Sequence, residues 1–184
     1  MHLLVNVLVF QVGWFASVIG AARGVPLLGP AVVLAVVAGH LLIAARPTRE
    51  LILILLAGAL GAAWDSVLVS AGLVSYPSGN LVTGAAPYWI VTMWMLFATT
   101  LNVALRWLHT RLALAAALGG LSGPLTYYAG GRLGGIEFLD LVGGLTALAI
   151  GWAVMMPTLT VLSRRFDGIA VPASSADEFA AGDS

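Results

Sequence analysis

The sequence predicts an all-α membrane protein of six transmembrane helices with its N- and C-termini in the cytoplasm. Composition is the first observation behind this. Hydrophobic residues fill 60% of the 184 positions and charged residues only 9%, with mean hydropathy +1.02. A soluble domain carries about 25% charge, so lipid rather than water must cover most of this surface. The second observation is spacing: the charges fall between six apolar stretches, each long enough to cross about 30 Å of hydrocarbon at about 1.5 Å per residue. The third is the distribution of arginine. If the stretches alternate in direction, one side of the membrane holds Arg46, Arg49, Arg106, Arg111, Arg164 and Arg165, and the other only Arg23 and Arg132. The rich side belongs in the cytoplasm.

The stretches run over 3–22, 25–45, 51–73, 87–105, 112–129 and 138–162. Helices are required because a span must satisfy its own backbone hydrogen bonds. The first ends at Arg23. No basic residue precedes its apolar run, which is the wrong beginning for a cleaved signal. The second ends in Arg46, Pro47, Arg49 and Glu50. The third carries Asp65, and a polar, turn-rich connection over 75–86 follows it. The fourth closes on Arg106, His109 and Arg111, and the fifth on a glycine-rich turn around Arg132. The sixth ends at Arg164 and Arg165. Residues 1–166 therefore form one six-helix domain, and 167–184, acidic and rich in small residues, a short disordered cytoplasmic tail. A Leu/Ala/Gly pattern at 56–61 echoes one at 114–119, as a repeat of helix pairs or by chance.

The chain has neither cysteine nor lysine. Disulfides, thiolate chemistry and lysine nucleophiles or Schiff bases are excluded. Net charge is zero, so no basic patch points to nucleic acid. Phosphate loops, nucleophile elbows and dinucleotide fingerprints are missing. His2, His40 and His109 show no metal-ligand spacing. No cofactor and no metal is expected.

Polar residues inside the stretches are the candidates for function. Asp65 sits about 21 Å from the cytoplasmic edge, where a carboxylate costs about 2.5–3.5 kcal/mol and is a functional candidate by default. It shares a face with Gly58, Gly61 and Gly72. It is either a binding or proton-handling group, or a structural one paired with arginine or hydrogen-bonded to Trp or Tyr. Trp64, Asp65, Tyr127, Tyr128 and Arg132 fall at one level and form a candidate ligand site opening toward the outer leaflet. The plainer reading makes Tyr88, Trp89, Tyr127 and Tyr128 an aromatic belt and Arg132 the partner of Glu137. Asp140 opens a stripe with Gly144, Ala147 and Gly151. A second polar cluster of Asn6, His40, Thr99, Asn102 and Arg106 lies toward the cytoplasm, with Gln11 nearby. Interhelical hydrogen bonding accounts for it without further function. Pro124 and Pro157 are the candidate helix breaks, and Gly119 and Gly123 a packing pair.

Six segments carry a family resemblance: 6–14 (NVLVFQVGW), 64–66 (WDS), 87–94 (PYWIVTMW), 97–102 (FATTLN), 123–132 (GPLTYYAGGR) and 151–152 (GW). Together they resemble an uncharacterised family of bacterial polytopic inner-membrane proteins known only by a domain-of-unknown-function label. The resemblance implies a multi-pass protein of the bacterial inner membrane, of unknown activity, whose genes lie beside lipid-modifying enzymes such as fatty-acyl methyltransferases. It brings no catalytic residues with it. Binding or helping to process lipid or another small apolar ligand is the leading expectation. A small proton-coupled transporter using Asp65, and a membrane-embedded enzyme using it as general acid or base, are the alternatives.

Overall fold

A computed structural model describes residues 3–169. Six α-helices stand among them: α1 (Leu3–Ala22), α2 (Leu28–Ile43), α3 (Pro47–Ser70), α4 (Tyr88–Leu101), α5 (Leu112–Arg132) and α6 (Leu141–Arg165). Three of these, α1, α3 and α6, are long and apolar enough to cross a membrane. The outward face is that of a membrane protein: Leu4, Leu42 and Val142 are 72%, 86% and 75% exposed, a surface water would not tolerate at this extent.

Local signals set the ends. Pro47 occupies the first turn of α3, where its missing N–H is no loss. Asp140 caps α6, its Oδ1 accepting from Gly143 N at 3.0 Å. That is the work of Asp140, at the head of the predicted small-residue stripe. Gly72 and Gly134 take φ of +68° and +87° just past α3 and α5, the left-handed conformation that ends a helix. Gly72 therefore lies outside the helical face predicted to hold Gly58, Gly61 and Asp65.

The fourth apolar stretch was expected to run to 105, but α4 stops at Leu101 after 14 residues. The hydroxyls of Thr99 and Thr100 donate to the carbonyls of Leu96 and Phe97, both at 2.7 Å, and the chain tightens into a 3₁₀ turn at Arg106–Leu108. Conversely, α5 and α6 run unbroken through Pro124 and Pro157.

Helix α4 is the hub, packed against α1, α2, α3 and α6, while α5 leans mainly on α6. The α3–α4 and α5–α6 hairpins share one device. A Cβ on Gly61 of α3 would overlap the Trp94 indole of α4, and a Cβ on Gly123 of α5 would overlap Trp152 of α6. Each glycine thus admits an indole flat against its helix, and the two indoles stack on one another, centroids 4.6 Å apart and 14° from parallel. Gly151 of α6 receives Trp64 in the same way. Gly151→Val is expected to destabilise the protein by about 1–3 kcal/mol, as overpacking does, read as a lower unfolding temperature in detergent.

Two very short strands, β1 (Val74–Ser75) and β2 (Glu137–Phe138), pair antiparallel and tie the two hairpin connections together. The all-α prediction had no place for them. The polar connection after β1 folds down over that end of the bundle. Ser78 Oγ donates to Ala21 O at 2.8 Å, Trp89 Nε1 to Ser78 O at 3.0 Å and Ala86 N to Ser66 Oγ at 2.9 Å. Trp89 is fully buried and Tyr127 is 4% exposed, so neither sits in an aromatic belt.

Candidate functional site

Asp65 is completely buried near the C-terminal end of α3. Three side chains donate to its carboxylate. Tyr76 Oη, from the connection after β1, reaches Oδ1 at 2.7 Å. Trp94 Nε1 of α4 reaches Oδ2 at 2.7 Å. Tyr127 Oη of α5 bridges both oxygens at 2.8 and 2.9 Å. Of the two kinds of structural partner open to Asp65, it has the hydrogen-bonding aromatics, with no cation among them. The glycine at position 61, one turn earlier, is what lets the Trp94 indole lie close enough for its N–H to reach the acid.

A cavity of about 210 Å³ adjoins this network. Phe10 and Trp14 of α1, Met93, Trp94 and Phe97 of α4, Ser122, Gly123, Thr126 and Tyr127 of α5 and Trp152 of α6 line it. Phe97 stands edge-on to both stacked indoles, at 6.4 and 5.4 Å. Trp94 and Tyr127 thus belong to both the Asp65 network and the cavity wall. The indole N–H groups of Trp14 and Trp152 are buried without a hydrogen-bond partner among the described residues, although Trp152 lies beside the Tyr127 hydroxyl. Ser122 and Thr126, exposed and one turn apart on α5, stand at the mouth.

The predicted ligand-site residues separate. Asp65 and Tyr127 come together. Trp64 turns into the Gly151 cradle and does not line the cavity. Tyr128 is 42% exposed. Arg132 ends α5 without a side-chain partner among the described residues, and the Glu137 carboxylate expected to pair with it accepts from Ser75 Oγ at 3.0 Å instead. Sequence reasoning missed Tyr76, placed in a polar loop, and Trp14, Trp94 and Trp152. The last three carried a signal: they sit well inside apolar stretches rather than at the ends, where belt aromatics belong.

The second cluster forms around a residue that was read as a loop charge. Glu50, in the first turn of α3, is fully buried. His40 Nε2 meets its Oε2 at 2.8 Å, and Asn102 Nδ2 and Gly168 N both donate to Oε1 at 2.7 Å. Arg106 bonds Asn102 O through Nε at 2.9 Å and Asp167 Oδ1 through Nη2 at 2.8 Å. Asn6 Nδ2 donates to Thr99 O at 3.1 Å. All five predicted members are therefore engaged in interhelical or tail contacts. The tail was predicted to start at 167, yet residues 167–169 are held by this cluster; the remainder of that prediction, 170–184, lies outside the described residues. His109 borders the cluster, its Nε2 3.0 Å from Ser163 Oγ. Burial, with Arg106 and Arg164 pushing the same way, holds His109 below the ordinary imidazole range. Among the described residues no group of His, Asp and Glu is placed to hold a metal ion.

No curated protein and no solved structure matches the chain. A family model described as a protein of unknown function, DUF2878, matches residues 3–158. That span covers α1 to most of α6, and with them Asp65, its three donors and the whole cavity lining. The chain belongs to the DUF2878 family of proteins of unknown function.

Proposed function

We propose that this is a six-span protein of the bacterial inner membrane, both ends in the cytoplasm, that holds a lipid or other small apolar ligand between α1, α4, α5 and α6. One observation carries the ligand reading: an aromatic cavity at the side of the bundle, lined by Phe10, Trp14, Trp94, Phe97 and Trp152 and backed by the hydrogen-bonded Asp65 network. The volume is below the about 300–1,000 Å³ of drug-sized pockets, so it suits part of a chain or one ring. Bilayer lipid, and a lipid-modifying enzyme that supplies or uses the ligand, are the partners this reading proposes.

Identification of lipids that co-purify with the protein, by mass spectrometry, tests it. A defined lipid should accompany the wild type, and blocking the mouth with Thr126→Trp should reduce it several-fold. Equal lipid in both proteins would defeat the reading. The transporter alternative has Asp65 to recommend it but no broken helix, and both Asp65 oxygens are already engaged. Solute flux in proteoliposomes that depends on pH and Asp65 would reinstate it.

The topology rests on the arginine asymmetry. At 16 and 14 residues, α2 and α4 are about 24 and 21 Å long, so they span only with help from their flanking turns. An alkaline phosphatase fused within 75–86 is expected to be active, and one fused after Arg111 inactive. The reverse pattern would invert the topology.

A further inference from the structure

We propose that the hydroxyls of Ser122 and Thr126 bind a neutral oxygen function, a hydroxyl or a carbonyl, set within the apolar chain or ring of the cavity's ligand. This rests on the ligand reading above and specifies its chemistry. A hydroxyl inside a membrane helix ordinarily bonds back to its own backbone, since lipid tails offer it no partner. Ser17 of α1, Ser66 of α3, Thr92 of α4 and Thr146, Thr158 and Thr160 of α6 all do so, donating to carbonyls three or four residues earlier at 2.6–3.0 Å. Exposure does not undo the habit, because Thr146 and Thr158 are exposed and still bonded in this way. Ser122 and Thr126 of α5 depart from it. Both are exposed, both line the cavity, and neither hydroxyl has a hydrogen-bond partner among the described residues.

Depth and spacing define the group they take. At about 1.5 Å per residue, Ser122 and Thr126 lie roughly 15 and 21 Å along α5 from Leu112, with Thr126 about 9 Å short of the other end at Arg132. In the proposed topology that level is hydrocarbon. An ion there costs far more than a neutral polar group, so charged heads stay at the interface and the function that meets the pair is uncharged. The two positions are one turn apart on one face, so a single ligand oxygen can reach both hydroxyls. Each hydroxyl donates and accepts: a carbonyl takes a bond from both, and an alcohol takes one and gives one. The stacked Trp94 and Trp152 indoles and the Phe97 edge supply flat apolar walls for the rest of the molecule.

The test is a binding series with three terminally brominated probes of matched length, undecane, 6-undecanol and 6-undecanone, presented to the full chain in nanodiscs. Bromine quenches indoles on contact, and Trp14, Trp94 and Trp152 line the cavity. The saturable part of the tryptophan quenching gives the affinity, expressed as mole fraction of probe in the bilayer. One hydrogen bond made away from water is worth about tenfold in Kd, so alcohol and ketone are each expected to bind about tenfold more tightly than the alkane. Ser122→Ala with Thr126→Val removes both hydroxyls and should abolish that advantage while leaving the alkane affinity unchanged. Exchanging the two residues, Ser122→Thr with Thr126→Ser, should keep it, as should Thr158→Val, which removes a hydroxyl bonded within α6. Equal affinity for alkane and oxygen probes in the wild type, or an advantage that survives loss of both hydroxyls, would overturn the assignment while leaving the cavity a ligand site. An advantage lost just as fully in the exchange variant would overturn it too. If no probe binds, the ligand reading itself fails. Extracts of the purified protein, taken with and without saponification, separate the natural sources. An oxygenated compound released only by saponification is an acyl chain of a bilayer lipid, and one present without it is a free molecule.

Discussion

Asp65→Ala is expected to destabilise the folded protein by about 3 kcal/mol or more, because it strands three buried donors that each cost about 1 kcal/mol or more when unpaired. The donors come from the connection after β1, from α4 and from α5, so the loss is felt across the bundle. Asp65→Asn keeps one acceptor and turns the other into a donor that faces donors. It should fall between Ala and wild type, at about 1–2 kcal/mol. Tyr127→Phe should cost about 1 kcal/mol, since the acid keeps Tyr76 and Trp94. Unfolding in detergent, followed by near-UV circular dichroism, reads all three. The order Ala, Asn, Phe marks Asp65 as a centre of the fold. Wild-type stability in Asp65→Ala would show that the carboxylate is held for function alone, at the fold's expense.

The six helices were readable because lipid imposes a coarse rule: apolar stretches of sufficient length, separated by charges. The helix ends were less so. At the end of α4, two threonine hydroxyls and Asn102 redirect the backbone, which no hydropathy average registers. The echo of 56–61 in 114–119 sets Gly61 against Gly119, which is not the register of the packing. The correspondence that matters joins Gly61 with Gly123, each beneath a tryptophan of the next helix. Only the packing shows that pairing, because glycine in such sequences is common and its partner is remote.

The site was half legible for the same reason. Asp65 announces itself as the lone carboxylate deep in a span, and Tyr127 lies on the level predicted for it. Arg132 was drawn in by level alone, whereas distance around the bundle decides contact. Tyr76 was hidden by its setting, since a tyrosine in a glycine- and serine-rich connection gives no hint that the connection folds inward. Glu50 is the more instructive miss. It lies among arginines beyond an apolar stretch and looks solvated, yet the buried face of α3 runs from Glu50 through Ile54, Ala57 and Gly61 to Asp65 in steps of three and four. Carrying the Gly61–Asp65 face back toward Pro47 would have led to it.

That face makes Glu50→Ala the second large effect, about 3 kcal/mol or more, because it strands three buried donors that each cost about 1 kcal/mol or more when unpaired. It leaves His40 Nε2, Asn102 Nδ2 and Gly168 N without their acceptor. A local consequence distinguishes this loss from general weakening. Gly168 then keeps its carbonyl bond to Arg46 N, at 2.9 Å, as its remaining backbone hydrogen bond among the described residues, and residues 167–169 should loosen from the end of the bundle. Trypsin is expected to cut at the exposed Arg164 and Arg165 several-fold faster than in the wild type. Arg106→Gln, which removes an ion pair 30% and 23% exposed, should cost under about 1 kcal/mol and accelerate cleavage far less. Glu50→Gln separates shape from charge. Its oxygen can still accept from Asn102 and Gly168, and its amide can donate to His40 Nε2 if the imidazole proton moves to Nδ1, now without a partner. Near-wild-type protease resistance together with a ¹⁵N signature of the Nδ1–H tautomer is the expected result. Cleavage as fast as in Glu50→Ala would show that the charge of Glu50, and not its geometry, holds the segment in place.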